Sequence, residues 1–206
     1  MNRFVLAALA AVMATGAAAA ERPWSGFYLG AVGGYGASHG DVTVAGAPAG
    51  DVNAKGALLG ARAGFDQRVG VLAFGLVGDW SWSGMKESQT IGGATVDAKL
   101  TQYATLRARA GVAAGDWVMF YATGGGAYGR ATVVATVPGL GESTSSVGRL
   151  GWVVGGGVEV ALTPRMSVGV EYLHADLGRA DLDVFGVPTS ARIQPKVVRA
   201  SLSYRF

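Results

Sequence analysis

The last eleven residues constrain the fold more than any other stretch of the chain. They read Lys196-Val197-Val198-Arg199-Ala200-Ser201-Leu202-Ser203-Tyr204-Arg205-Phe206. In an extended chain, successive side chains point to opposite faces. One face then carries Val198, Ala200, Leu202, Tyr204 and Phe206, and the other carries Arg199, Ser201, Ser203 and Arg205. A strand that is apolar on one side, charged on the other and closed by two aromatics suits the wall of a membrane barrel better than a soluble sheet.

The beginning of the chain agrees. Met1-Asn2-Arg3 is short and basic, Phe4 to Met13 is apolar, and Ala18-Ala19-Ala20 supplies a small-residue cleavage site before Glu21. This is the pattern of a secretory leader, too short to cross a membrane as a helix. We therefore expect residues 1–20 to be a cleaved signal and 21–206 to form one domain. The formal charge of +3 falls to +2 without Arg3, which argues against nucleic acid or a strongly anionic partner. With no cysteine, disulfides and thiolate metal sites are excluded. Half the residues are hydrophobic, yet beyond the leader no apolar run approaches the ~18 residues of a spanning helix.

Alternation recurs in eight segments, near 26–37, 56–67, 71–82, 100–113, 117–129, 149–162, 165–177 and 196–206. In the second, Leu59, Ala61, Ala63 and Phe65 oppose Gly60, Arg62, Gly64 and Asp66. In the fourth, Ala104, Leu106, Ala108, Ala110 and Val112 oppose Tyr103, Thr105, Arg107 and Arg109. The apolar face carries no charge, as lipid requires, because a lipid-facing Arg or Lys costs ~2–4 kcal/mol at mid-depth. Short connections near 68–70, 114–116 and 163–164 alternate with long ones near 38–55, 83–99, 130–148 and 178–195. Short periplasmic turns and long outer loops are a habit of membrane barrels. The expected fold is an all-β, eight-stranded antiparallel transmembrane barrel.

Aromatics sort by height. Phe27, Phe65, Phe74, Phe120 and Phe206 fall at strand ends on the short-turn side, and Tyr35, Trp80, Trp82, Tyr128, Trp152 and Tyr172 fall toward the long loops. Two girdles at the two membrane interfaces would give this sorting.

Several motifs carry a resemblance. They are Trp24-Ser25-Gly26-Phe27-Tyr28-Leu29-Gly30, Thr105-Leu106-Arg107-Ala108-Arg109-Ala110-Gly111, Gly151-Trp152-Val153-Val154-Gly155-Gly156-Gly157-Val158-Glu159, Glu171-Tyr172-Leu173 and the terminal Tyr204-Arg205-Phe206. Together they resemble the small outer-membrane β-barrels of alpha-proteobacteria, often called outer-membrane immunogenic or "porin family" proteins. The resemblance implies the cell outer membrane, and lipids and lipopolysaccharide as surroundings. It also implies a C-terminal strand read by the barrel-assembly machinery through Tyr204 and Phe206, although Ser201 stands where that signal usually has glycine. It implies no single activity, since members are called porins, antigens or haemin-binding proteins.

The inward parity gathers Arg62, Arg107, Arg109 and Arg199 with Asp79, Glu159 and Glu171. An eight-stranded barrel is wide enough only for side chains to fill. Two readings follow: a salt-bridged plug, with interior glycines such as Gly60, Gly64, Gly75, Gly157 and Gly169 giving the arginines room, or a charged constriction passing small ions. Catalysis has little to draw on. Only His39 and His174 are available, the latter in His174-Ala175-Asp176, and a lone histidine is a weak metal or haem ligand. Gly33-Gly34-Tyr35-Gly36 and Gly124-Gly125-Gly126 precede no helix and so cradle no phosphate. The loops at 41–51, 86–97, 137–146 and 181–190 are small and polar, fit either to bind an outside partner or to act as solvated caps. The expectation is a structural envelope protein without cofactor or catalysis. The alternatives are a narrow, weakly selective porin and a loop-mediated binder of haem or a host surface.

Overall fold

Nearly every residue described by the computed structural model is extended; these are residues 23–206 apart from 45–46, 92–93, 138–140, 185–186 and 193. The leader at 1–20 lies outside them. The strands are β1 (Gly26–Val44), β2 (Ala47–Val69), β3 (Leu72–Ile91), β4 (Ala94–Ala114) and β5 (Val118–Val137). They continue as β6 (Gly141–Ala161), β7 (Met166–Asp176), β8 (Arg179–Val184), β9 (Val187–Arg192) and β10 (Gln194–Arg205). Each of β1 to β6 pairs antiparallel with its successor, β7 pairs with β10, and β10 returns to β1. That last ladder runs from Tyr28↔Arg205 to His39↔Gln194, and the Phe206 amide donates to the Phe27 carbonyl at 2.9 Å. The result is a closed barrel of eight staves. Closure satisfies every backbone group that would otherwise face lipid unpaired.

The short turns are built by local chemistry. Gly70 and Gly115 adopt φ of 64° and 69°, the left-handed region that glycine enters without steric cost. At the third turn, Thr163 Oγ1 accepts from the Met166 amide at 2.9 Å, and the Leu162 amide donates to the Met166 carbonyl.

On the other side the staves run well past the segments read from sequence. β1 and β2 stay paired to Val44↔Ala47, β3 and β4 to Ile91↔Ala94, and β5 and β6 to Val137↔Gly141. The long connections are thus largely hairpin ladders, since two strands already in register keep exchanging backbone hydrogen bonds after leaving the membrane. Their tips at 45–46, 92–93 and 138–140 lie outside the described residues. The 178–195 connection folds into the β8–β9 hairpin, and β9 lies against the outer end of β1 at Val42↔Ala191. Thr101 is an extra residue of β4 against β5, while against β3 it stands opposite both Ser83 and Gly84. Beyond it alternate positions change faces, and Lys99 is exposed.

Side chains segregate by parity. Leu59, Leu76, Leu106 and Val170 point outward, while Arg62, Val77, Arg107 and Glu171 are buried inside. The interior glycines make room chiefly for tyrosines and carboxylates rather than for arginines. A Cβ at Gly64 would strike the Tyr28 ring and the Leu76 carbonyl, and one at Gly157 would strike the Tyr121 hydroxyl and the Val170 carbonyl. We expect Gly64→Ala to lower stability by about 1–3 kcal/mol through overpacking. Gly124→Ala should be close to neutral, because its nearest neighbours would sit 3.7 Å away. Urea unfolding midpoints in detergent micelles compare the two.

Candidate functional site: the charged lumen

The lumen is filled in layers. On the short-turn side sits an apolar cluster of Trp24, Ala73, Ala113, Met119, Tyr121 and Ala161. Trp24 reaches it from the segment ahead of β1, with its side chain buried and φ of 74°. For a bulky residue that backbone is strained, by about 1–3 kcal/mol, and burial of the indole under Arg205, 6.0 Å from its ring, offsets the cost. Ser25 fastens the same segment by accepting from the Arg68 amide at 3.1 Å.

Above this cap lie three arginines and two carboxylates. Arg109 bonds Glu159 at 2.9 Å and approaches Asp66 at 3.5 Å. Arg205 bonds Asp66 at 3.0 Å, and Arg62 stands 3.9 Å from Glu159. Ser167 donates to Glu159 at 2.6 Å, and Arg62 donates to Ser201 at 2.8 Å. The third positive charge faces aromatic rings instead of a third carboxylate. Arg109 lies 4.2 Å from the Tyr121 centroid, and Arg62 and Arg205 lie 5.1 and 5.0 Å from that of Tyr28. Desolvated cation–π contacts of this kind contribute about 2 kcal/mol each. The Tyr28 hydroxyl also accepts from Arg62 and Arg109 at 3.3 Å.

The next layer is a closed ring of four charges. Arg107 bonds Asp79 and Glu171, both at 2.7 Å. Arg199 bonds the same two carboxylates, both at 2.8 Å. Thr105 donates to Asp79 at 2.6 Å and accepts from Arg107 Nε at 2.8 Å. Each carboxylate is thus held by both arginines, and the ring is neutral. It joins β3, β4, β7 and β10 across the lumen. A second apolar cluster, Leu58, Tyr103, Ala127, Val153, Leu173, Ala175, Leu177 and Val197, covers it on the long-loop side.

All seven charged residues singled out from sequence lie in these two layers: Arg62, Arg109 and Glu159 in the lower, and Asp79, Arg107, Glu171 and Arg199 in the upper. Asp66, Arg205, Tyr28 and Tyr121 complete the lower layer. Asp66 and Arg205 share the inward parity of their strands and were legible there. Trp24 precedes the first strand, where no alternation assigns a face. Of the aromatics, Tyr35, Phe65, Phe74, Trp80, Trp82, Phe120, Tyr128, Trp152, Tyr172 and Phe206 face outward. Phe27 is half-buried against Phe65, with centroids 4.8 Å apart. Trp117 at a short turn and Tyr204, edge-on to Phe206 at 5.3 Å, are exposed as well.

His174 packs edge-on against Trp152, with centroids 5.7 Å apart. Asp176 accepts from the Gly178 amide at 2.9 Å and from Gln194 at 3.1 Å. The His39 side chain lies outside the described residues. Among the described residues no three His, Cys, Asp or Glu side chains are grouped to hold a metal ion.

A family model described as "Outer membrane protein beta-barrel domain" matches residues 4–206. The 31 kDa outer-membrane immunogenic protein of Brucella melitensis biotype 1 is 29% identical over 246 residues, covering 100% of both chains. The 25 kDa outer-membrane immunogenic protein of Brucella abortus biovar 1 is 28% identical over 188 residues, covering 91% of this chain and 82% of its own. Among solved structures, the outer membrane protein OprG from Pseudomonas aeruginosa superposes with a TM-score of 0.52 at 13% identity, over 90% of this chain and 98% of its own. Neisserial surface protein A gives 0.50 at 19% identity, over 88% and 98%.

Removing one member of the upper ring leaves its partners buried and unbalanced. We expect Glu171→Gln to cost about 3–5 kcal/mol of unfolding free energy. Adding Arg107→Gln restores one-to-one pairing of Arg199 with Asp79 and should recover a large share of that loss. A double-mutant cycle in urea measures the coupling, and additive losses would contradict a shared ring.

Proposed function

Because the chain belongs to the outer membrane protein beta-barrel domain family, we propose that it is a structural protein of the envelope rather than a pore. It is a protein of the outer membrane, embedded among that membrane's lipids. The observation that carries the structural reading is the filled lumen. The closed ring of Arg107, Asp79, Arg199 and Glu171 spans it, with an apolar cluster beyond each end of the charged layers. An ion crossing the barrel must separate charges that already satisfy one another in a dry interior, at a cost of several kcal/mol per ion.

In this reading the outward apolar band and the aromatics named above hold the barrel at its depth, with lipopolysaccharide as part of the surrounding leaflet. Residues 1–20 direct export and are removed before Glu21. Tyr204 and Phe206 on the closing strand are the residues the barrel-assembly machinery reads. The outer hairpins present a surface, which accords with relatives called immunogenic. No catalytic step is assigned to His39 or His174.

Single-channel recording of the protein purified from outer membranes, in planar bilayers, tests the reading. The expected outcome is a β-rich barrel by circular dichroism that gives no steady conductance. Reproducible steps whose size changes in Arg107→Gln would make it a narrow porin instead.

A further inference from the structure

The charges whose side chains are described are sorted by face more strictly than the net charge suggests. Among residues whose side chains are described, every carboxylate is either buried (Asp66, Asp79, Glu159, Glu171 and Asp176) or bound at a short turn, where Asp116 meets Arg68 at 2.6 Å. Among the same residues, the exposed cations on the long-loop side are Lys55, Lys99, Arg130 and Lys196. With the interior sealed, the charges left exposed on that side among these residues are all basic.

Two of these cations flank one strand. Ala37 of β1 pairs with Lys55 on one side and with Lys196 on the other. Two residues toward the membrane, Tyr35 pairs with Ala57 and Val198 in the same way. Four residues along from the lysine row, the same three strands present Leu59, Gly33 and Ala200. That is a drop of about 13 Å along the strands. There an apolar groove of about 580 Å³ opens on the outer wall, lined by Ala31, Gly33, Leu59, Val170, Ala200 and Leu202 among others. It runs from β2 across the β1–β10 seam and β7 to β6, and small side chains at its centre are bordered by branched ones.

We propose that this seam is a docking site for a phosphorylated glycolipid of the lipid A type, with its phosphate at Lys55 and Lys196 and an acyl chain in the groove. Charge complementarity selects the occupant. An acyl chain alone would need no cations, and a neutral lipid would leave two flanking ammonium groups without an anion. The outer leaflet, on the long-loop side, is where lipid A resides. Lysine reaches a phosphate as a compact point charge on a flexible stem. The proposal takes from the envelope reading only the barrel's orientation.

The test is native mass spectrometry of the protein extracted in mild detergent, stripped of lipid and titrated with diphosphorylated lipid A. We expect discrete adducts at low micromolar lipid. Lys55→Gln with Lys196→Gln should weaken them about tenfold or more, since each cation near an anionic lipid surface is worth about fivefold in affinity. Lys99→Gln should retain them. Gly33→Leu fills the groove without a clash at its Cβ, which meets only Leu59 at 3.6 Å and the Leu58 carbonyl at 4.0 Å. It should also weaken binding. Each variant is first checked for the heat-dependent gel mobility of a folded barrel. Three results overturn the proposal: equal affinity for dephosphorylated lipid A, equal affinity for phosphatidylglycerol, or a dimer that Gly33→Leu dissociates while lipid A is retained. Any of these with a barrel silent in planar bilayers leaves the envelope reading standing, whereas conductance with lipid A adducts intact overturns that reading alone.

Discussion

Charge inside a barrel wrapped in lipid must be neutralised from within, and most of this structure follows from that requirement. Arg107 and Arg199 each reach both Asp79 and Glu171, which places four side chains from four staves at one level. Such a ring fixes the width of the lumen and the stagger of the staves together, because moving any strand by one residue would turn its charge outward into hydrocarbon. The lower layer solves the same problem with fewer carboxylates. The faces of Tyr28 and Tyr121 complement the third arginine, and the glycines at Gly64 and Gly157 exist in part to let those rings lie flat against the wall.

Much of this is legible in the sequence because a barrel strand obeys a period of two. Leu106 next to Arg107, or Val170 next to Glu171, assigns faces with no knowledge of partners. Partner identity is another matter. Asp79 and Arg199 are far apart in the chain, and nothing in either neighbourhood says that they meet. The fit of Tyr28 over Gly64 is similarly a property of two strands at once. Trp24 was beyond reach because its position depends on a single unusual backbone angle outside any repeat. The outer hairpins look like loops in sequence because their small polar residues resemble turn composition, whereas the ladder they form is backbone chemistry to which composition is largely blind.

Net charge misleads for the same reason. A formal charge of +3 looks nearly balanced, yet the described acids lie inside or at a short turn while lysines remain on the outer wall. In a soluble domain both signs mix on one surface and the sum is a fair guide to partners. In a barrel the wall divides the ledger, and only the outward share is visible to a lipid or a neighbour.

The ring also ties the end of the chain to its middle. Arg199 belongs to the final stave, while Asp79 belongs to the third and Arg107 to the fourth. Until the last strand docks, Glu171 and Asp79 face a single arginine, and β1 has an open edge. Sealing the backbone and balancing the interior therefore happen in one event. A chain cut short before its last dozen residues would lack the closing strand and the charge that settles the centre, so the barrel has no comfortable halfway state: it is finished or it is not a barrel.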